Sequence, residues 1–196
     1  MQTLIDEHLK AIGLQSLLEA PISIIDKEKF KAQVQYDSPE TQELKIRNNL
    51  RYTIRVGAHQ NPDFFKPLAE RLDELLKMKE EERISNTQLL IDYAELQDRI
   101  ILGDQESRAK GFDTEQKRAV YNSMQVIFAE AAEAQTRLLF ARIEGELDLV
   151  EWQDKGQVRK VIENKICKIL EEKMEKGPAR RKAKVLVELL AKRNNA

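Results

Sequence analysis

The sequence predicts an all-α protein, a multi-helix bundle of about seven to eight helices with no sheet. Three observations predict it. Apolar residues recur at three- and four-residue intervals in segment after segment, whereas strand-like alternation is rare. Helix punctuation is frequent, with Ser-Pro and Asn-Pro starts, capping-box patterns and glycines near the ends of periodic runs. The composition is 41% hydrophobic and 34% charged, with only 7 Gly and 5 Pro. That balance suits helices with long solvated faces and holds too many apolar residues for disorder. The 196 residues suffice for one sizeable core with a small appended piece. Residues 1–37 are expected to be a helical and linker segment packing on the bundle. Residues 38–196 are expected to form that bundle as one compact unit with basic C-terminal helices.

Each element follows from its own punctuation. "LIDEHLKAIG" puts Leu4, Ile5, His8, Leu9 and Ile12 on one face before Gly13. Pro21 breaks the next stretch, and Asp26 can cap a short turn. "DSPETQELKIRNNLRYTIRVG" opens with Ser38 as N-cap and Pro39 at the first helical position, where its missing N–H costs nothing. Gly57 is expected to close it. Asn61-Pro62 repeats the start signal for a helix to about Lys79, with Phe65, Leu68, Leu72, Leu75 and Leu76 inward and Pro67 as a kink or a reset of the first turn. Ser85 to Gln88 is a capping box for a helix expected to stop at Gly103. "DQESRAKGF" is expected to be a polar loop. Asp113 to Gln116 is a second capping box, opening a helix through Tyr121, Met124, Ile127 and Phe128 that the alanines from Ala129 to Ala134 extend. "QTRLLFARIEG" is helical to Gly145. "VRKVIENKICKILEEKM" has a stripe of Val158, Val161, Ile162, Ile166, Ile169 and Leu170. Gly177-Pro178 is expected to separate it from the last helix. No repeat appears, and no heptad is sustained long enough for a coiled coil.

Several classes are set aside by what the chain lacks or spaces wrongly. No apolar run reaches the roughly 18 residues of a membrane span, so no membrane partner is expected. The start "MQTLIDEHLK" lacks the blocks of a signal peptide, and one cysteine, Cys167, cannot form an internal disulfide. A cytoplasmic location is the expectation. "GDQESRAKG" does not have P-loop spacing. Pro62-Asp63 and Glu163-Asn164-Lys165 supply the letters of a metal-dependent nuclease, yet Glu163 and Lys165 are two apart on a helix and point apart. Neither His8 nor His59 has the Glu-x-x-His partner of a di-iron bundle. Cys167 flanks an apolar stripe, and Trp152 is read as a core or docking anchor. No catalytic residue, metal ligand, cofactor or cofactor-binding residue is expected.

Charge is the more informative signal. The net charge of −1 conceals an asymmetry. Residues 155–196 hold 13 Lys and Arg against 5 Asp and Glu, a net of +8, and residues 1–154 hold 20 against 29, a net of −9. Such a tail can contact nucleic acid or an acidic partner, or can be the solvated side of two terminal helices. Arg180, Arg181, Lys182 and Lys184 are the candidate partner or DNA contacts, suited to salt-dependent contact without sequence readout. A second basic feature is the ridge Arg47, Arg51 and Arg55, which recurs every four residues beside the stripe Ile46, Leu50, Thr53 and Ile54. The short turn at Asn61 predicts an antiparallel neighbour offering Glu70, Asp73 and Glu74. Arg47, Arg51, Arg55, Glu70 and Glu74 are therefore expected to form a structural clamp between helices. Reversal of Arg51 is expected to lower stability, and reversal at Arg180, Arg181 and Lys182 is not.

In their order, "ISIIDKEKF", the Ser-Pro helix ending "LRYTIRVG", "NPDFFKPLAERLDELL", "EWQDKGQVRKVIENKICKIL" and "GPARRKAKVLVELL" resemble the C-terminal helical region of the R (restriction, HsdR) subunit of type I restriction enzymes. The likeness covers about residues 14–190 and consists of packing patterns. It implies a late region of an ATP-driven DNA translocase and endonuclease, with the nuclease and motor domains upstream. These helices would not be catalytic. They would dock onto the methyltransferase (M) subunit and the motor domains. The family's nuclease and ATP-binding motifs have no counterpart in this sequence, so no site residue is carried over. The resemblance suggests an expressed fragment of that subunit. The alternative is a free-standing helical nucleic-acid-binding or regulatory protein using the basic C-terminal helices.

Overall fold

The computed structural model describes residues 38–192, and these are helical almost throughout, with no strand among them. The helices are α1 (Pro39–Gln60), α2 (Pro62–Glu80), α3 (Asn86–Ala109), α4 (Glu115–Phe128), α5 (Ala132–Leu147), α6 (Gly156–Leu170) and α7 (Lys176–Ala191), with single 3-10 turns at Ala129–Ala131 and Trp152–Asp154. The fold class is thus the all-α one that the periodicity predicts. The helix expected around Leu4–Ile12, and the segment with Pro21 and Asp26, lie outside the described residues.

Side-chain caps explain the starts of α1, α3 and α4, whereas α5, α6 and α7 begin without one. The backbone N–H of Thr41 donates to Ser38 Oγ at 3.3 Å, and that of Gln88 donates to Ser85 Oγ at 3.2 Å. Each satisfies one of the amides that a helix start leaves orphaned. At α4 the cap is Thr114 instead of Asp113: Thr114 Oγ1 accepts from the Lys117 amide at 3.2 Å. α2 runs through Pro67, whose missing N–H removes one intrahelical bond near the first turn.

Several expected stops are not stops. α1 continues past Gly57 to Gln60, and α3 continues past Gly103 to Ala109. Each glycine makes room for an aromatic ring. A Cβ on Gly57 would run into the Phe65 ring, and one on Gly103 would lie 2.5 Å from the Phe64 ring. The glycines therefore serve close packing, and the lost propensity of roughly 1 kcal/mol each is offset by ring contacts. The expected loop 104–109 is helix as well. Ser107 Oγ donates back to the Gly103 carbonyl, and Arg108 Nε donates to Asp104 Oδ2, both four residues apart. Conversely, the alanines do not extend α4. Ala129 takes φ 48°, and the chain makes a 3-10 turn before α5 begins. Gly177 and Pro178 lie inside the first turn of α7, where a proline is harmless. Val161 belongs to the solvent side of α6, 43% exposed, and not to its buried stripe.

The described residues divide into two compact units. Residues 38–55 and 69–101 form one, and 56–68 and 102–192 form the other. In the first, Leu50 and Ile54 of α1, Leu72 and Leu75 of α2, and Leu89, Tyr93, Leu96 and Ile100 of α3 are buried. In the second, α4 packs on α5, α5 on α6, α6 on α7, and α7 on α4, closing a ring of four helices. Its core takes Ala119, Val120 and Met124 from α4, Leu139 and Ile143 from α5, Ile162, Ile166, Ile169 and Leu170 from α6, and Ala183, Leu186 and Val187 from α7. Short connections make consecutive helices antiparallel. Trp152, in the turn between α5 and α6, is buried against one end of this core.

Candidate interaction surfaces

The basic block on α7 is split by helical geometry. Successive residues are about 100° apart, so Lys182 lies on a different face from Arg181 and Lys184. Lys182 turns inward, with its side chain 19% exposed, and donates from Nζ to Asp63 Oδ2 at 2.5 Å. The buried hydroxyl of Ser123 on α4 donates to the same oxygen. Asp63, in the first turn of α2, thereby joins α2, α4 and α7 within one unit. Lys182 is thus removed from the expected partner-contact set.

The remaining residues of that set face solvent. Arg181 and Lys184 are exposed, and the Arg180 side chain is 71% exposed. Arg180 Nε approaches Glu163 Oε1 at 3.7 Å, and Arg159 Nη2 of α6 meets Glu188 Oε1 of α7 at 2.5 Å. Lys184 lies one turn from both Arg180 and Glu188, so acids interleave with the cations along this edge. Such exposed pairs contribute roughly 0–1 kcal/mol each.

Of the expected clamp, Arg47 and Glu74 are each found beside a residue of their own helix. Arg47 Nε lies 3.9 Å from Glu43 Oε1 on its own helix, and Arg71 Nη1 donates to Glu74 Oε2 at 2.7 Å within α2. Arg51 and Arg55 are exposed, as is Glu70. Arg47 and Arg71 thus meet acids three or four residues away on their own helices. The tie between α1 and α2 is centred on buried Glu43. It accepts from Lys79 Nζ at 2.7 Å and from the hydroxyl of fully buried Tyr93 at 3.2 Å. Burial, and then the neighbouring Glu43 carboxylate, push the Tyr93 phenol well above its ordinary pKa. The spacing pattern gave no sign of Glu43, because its stripe neighbours are apolar and its partners come from two other helices.

Other singled-out residues have structural surroundings. His59 is exposed in the last turn of α1, and its carbonyl accepts from Lys192 Nζ. Cys167 is buried, with its thiol 3.4 Å from Glu171 Oε1, and burial followed by that carboxylate raises its pKa. Lys110 Nζ donates to the Tyr121 hydroxyl at 2.5 Å, which raises the lysine pKa, while the Tyr121 ring stacks on Phe112 at 4.7 Å. Among the described residues no three His, Cys, Asp or Glu side chains converge as metal ligands, and no helix is long and apolar enough to cross a membrane.

Compared with protein-family models, curated proteins and solved structures, the chain finds no match.

Proposed function

We propose that this chain is a non-catalytic helical docking domain of the R subunit of a type I restriction enzyme, an ATP-dependent translocase and nuclease. It would contact the methyltransferase subunit and the motor domains, in the cytoplasm. The observation that carries this reading is the use made of "NPDFF", the segment at the centre of the resemblance. Asp63 accepts from Lys182 and Ser123, and Phe64 and Phe65 fill the spaces at Gly103 and Gly57. Its chemistry-bearing residue is spent on holding helices together, as suits a scaffold that presents surfaces to other subunits. Exposed Leu149 and Val150, the latter 78% exposed beside the left-handed Glu151, offer apolar contact of the kind a partner can cover. A second reading, a free-standing nucleic-acid-binding protein, is favoured by the exposed Arg180, Arg181 and Lys184.

Two measurements on the purified chain separate the readings. Co-elution with a type I methyltransferase core during size-exclusion chromatography is expected, with weak DNA binding by the chain alone. Failure to co-elute, together with DNA anisotropy that falls steeply with salt, would favour the second reading. Neither ATP turnover nor magnesium-dependent DNA cleavage is expected, and activity above a heat-killed control would overturn both.

A further inference from the structure

At the end of the four-helix ring where α4 begins and α5 and α7 finish, the surface opens into a groove of about 390 Å³. Its apolar floor is Phe140, Leu147, Trp152 and Leu190, and its rim includes Thr114 and Lys117. Among the described residues, the charged groups lining it are Lys117 and Lys192, and no carboxylate lines it. Lys192 already donates to the His59 carbonyl. Lys117 is half-buried, in the first turn of α4, where the amide ends of the helix add positive potential on the same side. An adjoining hollow of about 490 Å³ shares Lys117, Phe140 and Leu147, but there Glu144 and Asp148 balance Lys117 and Arg137. Of the two, only the first carries cations and no acid on its own lining.

We infer that this groove binds a small organic anion, a carboxylate on an apolar body. The body lies on Phe140, Leu147, Trp152 and Leu190, and the carboxylate meets the Lys117 ammonium. The size is that of ordinary small-ligand sites, in which apolar contact supplies affinity and one or two polar groups fix orientation. Charge decides the class. A cationic amphiphile would meet two ammonium groups and no carboxylate on this lining, and a neutral one would partly desolvate Lys117 without giving it a partner there. The assignment rests on the groove alone and is independent of what the rest of the chain docks to.

Trp152 is the only tryptophan of the sequence, so its emission reports on this floor. The full chain is titrated with octanoate, and in parallel with octylammonium, which carries the same body and the opposite charge. A saturable change in Trp152 emission is expected with octanoate and not with octylammonium. Lys117→Gln should weaken octanoate binding about tenfold or more, the loss expected for one charge-assisted hydrogen bond. Lys117→Arg should retain it. No saturable change, an equal response to octylammonium, or undiminished binding by Lys117→Gln would overturn the assignment. Circular dichroism checks that Lys117→Gln keeps its helix content. If it does not, the Lys117→Arg titration and the octylammonium comparison decide.

Discussion

Lys182 Nζ lies 2.5 Å from Asp63 Oδ2, although 119 residues separate the two in the chain. The pair is mostly withdrawn from water and shares its acceptor oxygen with Ser123. Breaking one side leaves the other charge without its partner. Lys182→Met and Asp63→Asn are each expected to destabilise by about 1–3 kcal/mol. Arg181→Glu and Lys184→Glu, on the exposed side of the same helix, should stay within about 0.5 kcal/mol of the parent. Urea melts of the four variants and a Lys182/Asp63 double-mutant cycle measure this. Equal losses from the substitutions on the two faces of α7 would remove the buried pair from the account of stability.

The glycines make opposite predictions in the same helical state. Gly103→Ala gains helix propensity but pushes a methyl group into the Phe64 ring, so a net loss of about 1–3 kcal/mol is expected. Gly145→Ala meets nothing within 4 Å and should stabilise by roughly 0.5–1 kcal/mol. Thermal melts check the two signs. Pairing Gly103→Ala with Phe64→Leu should recover part of the loss, because the two side chains compete for one space.

Tyr93 predicts an alkaline limb. Its folded pKa is raised above the unfolded value, so the neutral phenol is favoured by folding. The stabilisation is complete below the unfolded pKa of about 10 and is lost as pH climbs above it. Stability should therefore fall more steeply between about pH 10 and 11 in the parent than in Tyr93→Phe. Denaturant midpoints at pH 8 and above pH 10 compare the slopes. Tyr93→Phe should also be less stable at pH 8, because it removes a donor from buried Glu43.

Cys167 should alkylate slowly in the native protein and rapidly in denaturant. Burial hides its sulfur, and the raised pKa keeps it a thiol at neutral pH. Iodoacetamide labelling followed by mass spectrometry gives both rates.

The helices were legible because their signals are local. Ser38 and Ser85 cap as their spacing predicts, and the stripe residues Leu50, Leu72, Leu75 and Ile166 are buried. What escaped the sequence depends on residues brought together only by packing. Gly57 and Gly103 look like helix stops until Phe65 and Phe64 arrive beside them. Lys182 looks like one of four equivalent cations until Asp63 claims it. Helical spacing alone separates it from Arg181, but only the partner says which side is inner. Arg47 and Glu74 of the expected clamp pair within their own helices for a related reason. Arg47 and Arg71 have acids within one turn of their own helices, and such neighbours are held close by the backbone before any other helix packs. By the same reasoning, reversal of exposed Arg51 is expected to matter less than reversal of Lys182.

The boundaries between the two units fall at 55/56, 68/69 and 101/102, and each lies inside an unbroken helix. Neither half can be excised by trimming an end, since removing one severs three rods that the other shares. A fragment cut at any of these boundaries would begin or end within a helix, with the amides or carbonyls of the severed turn left unpaired.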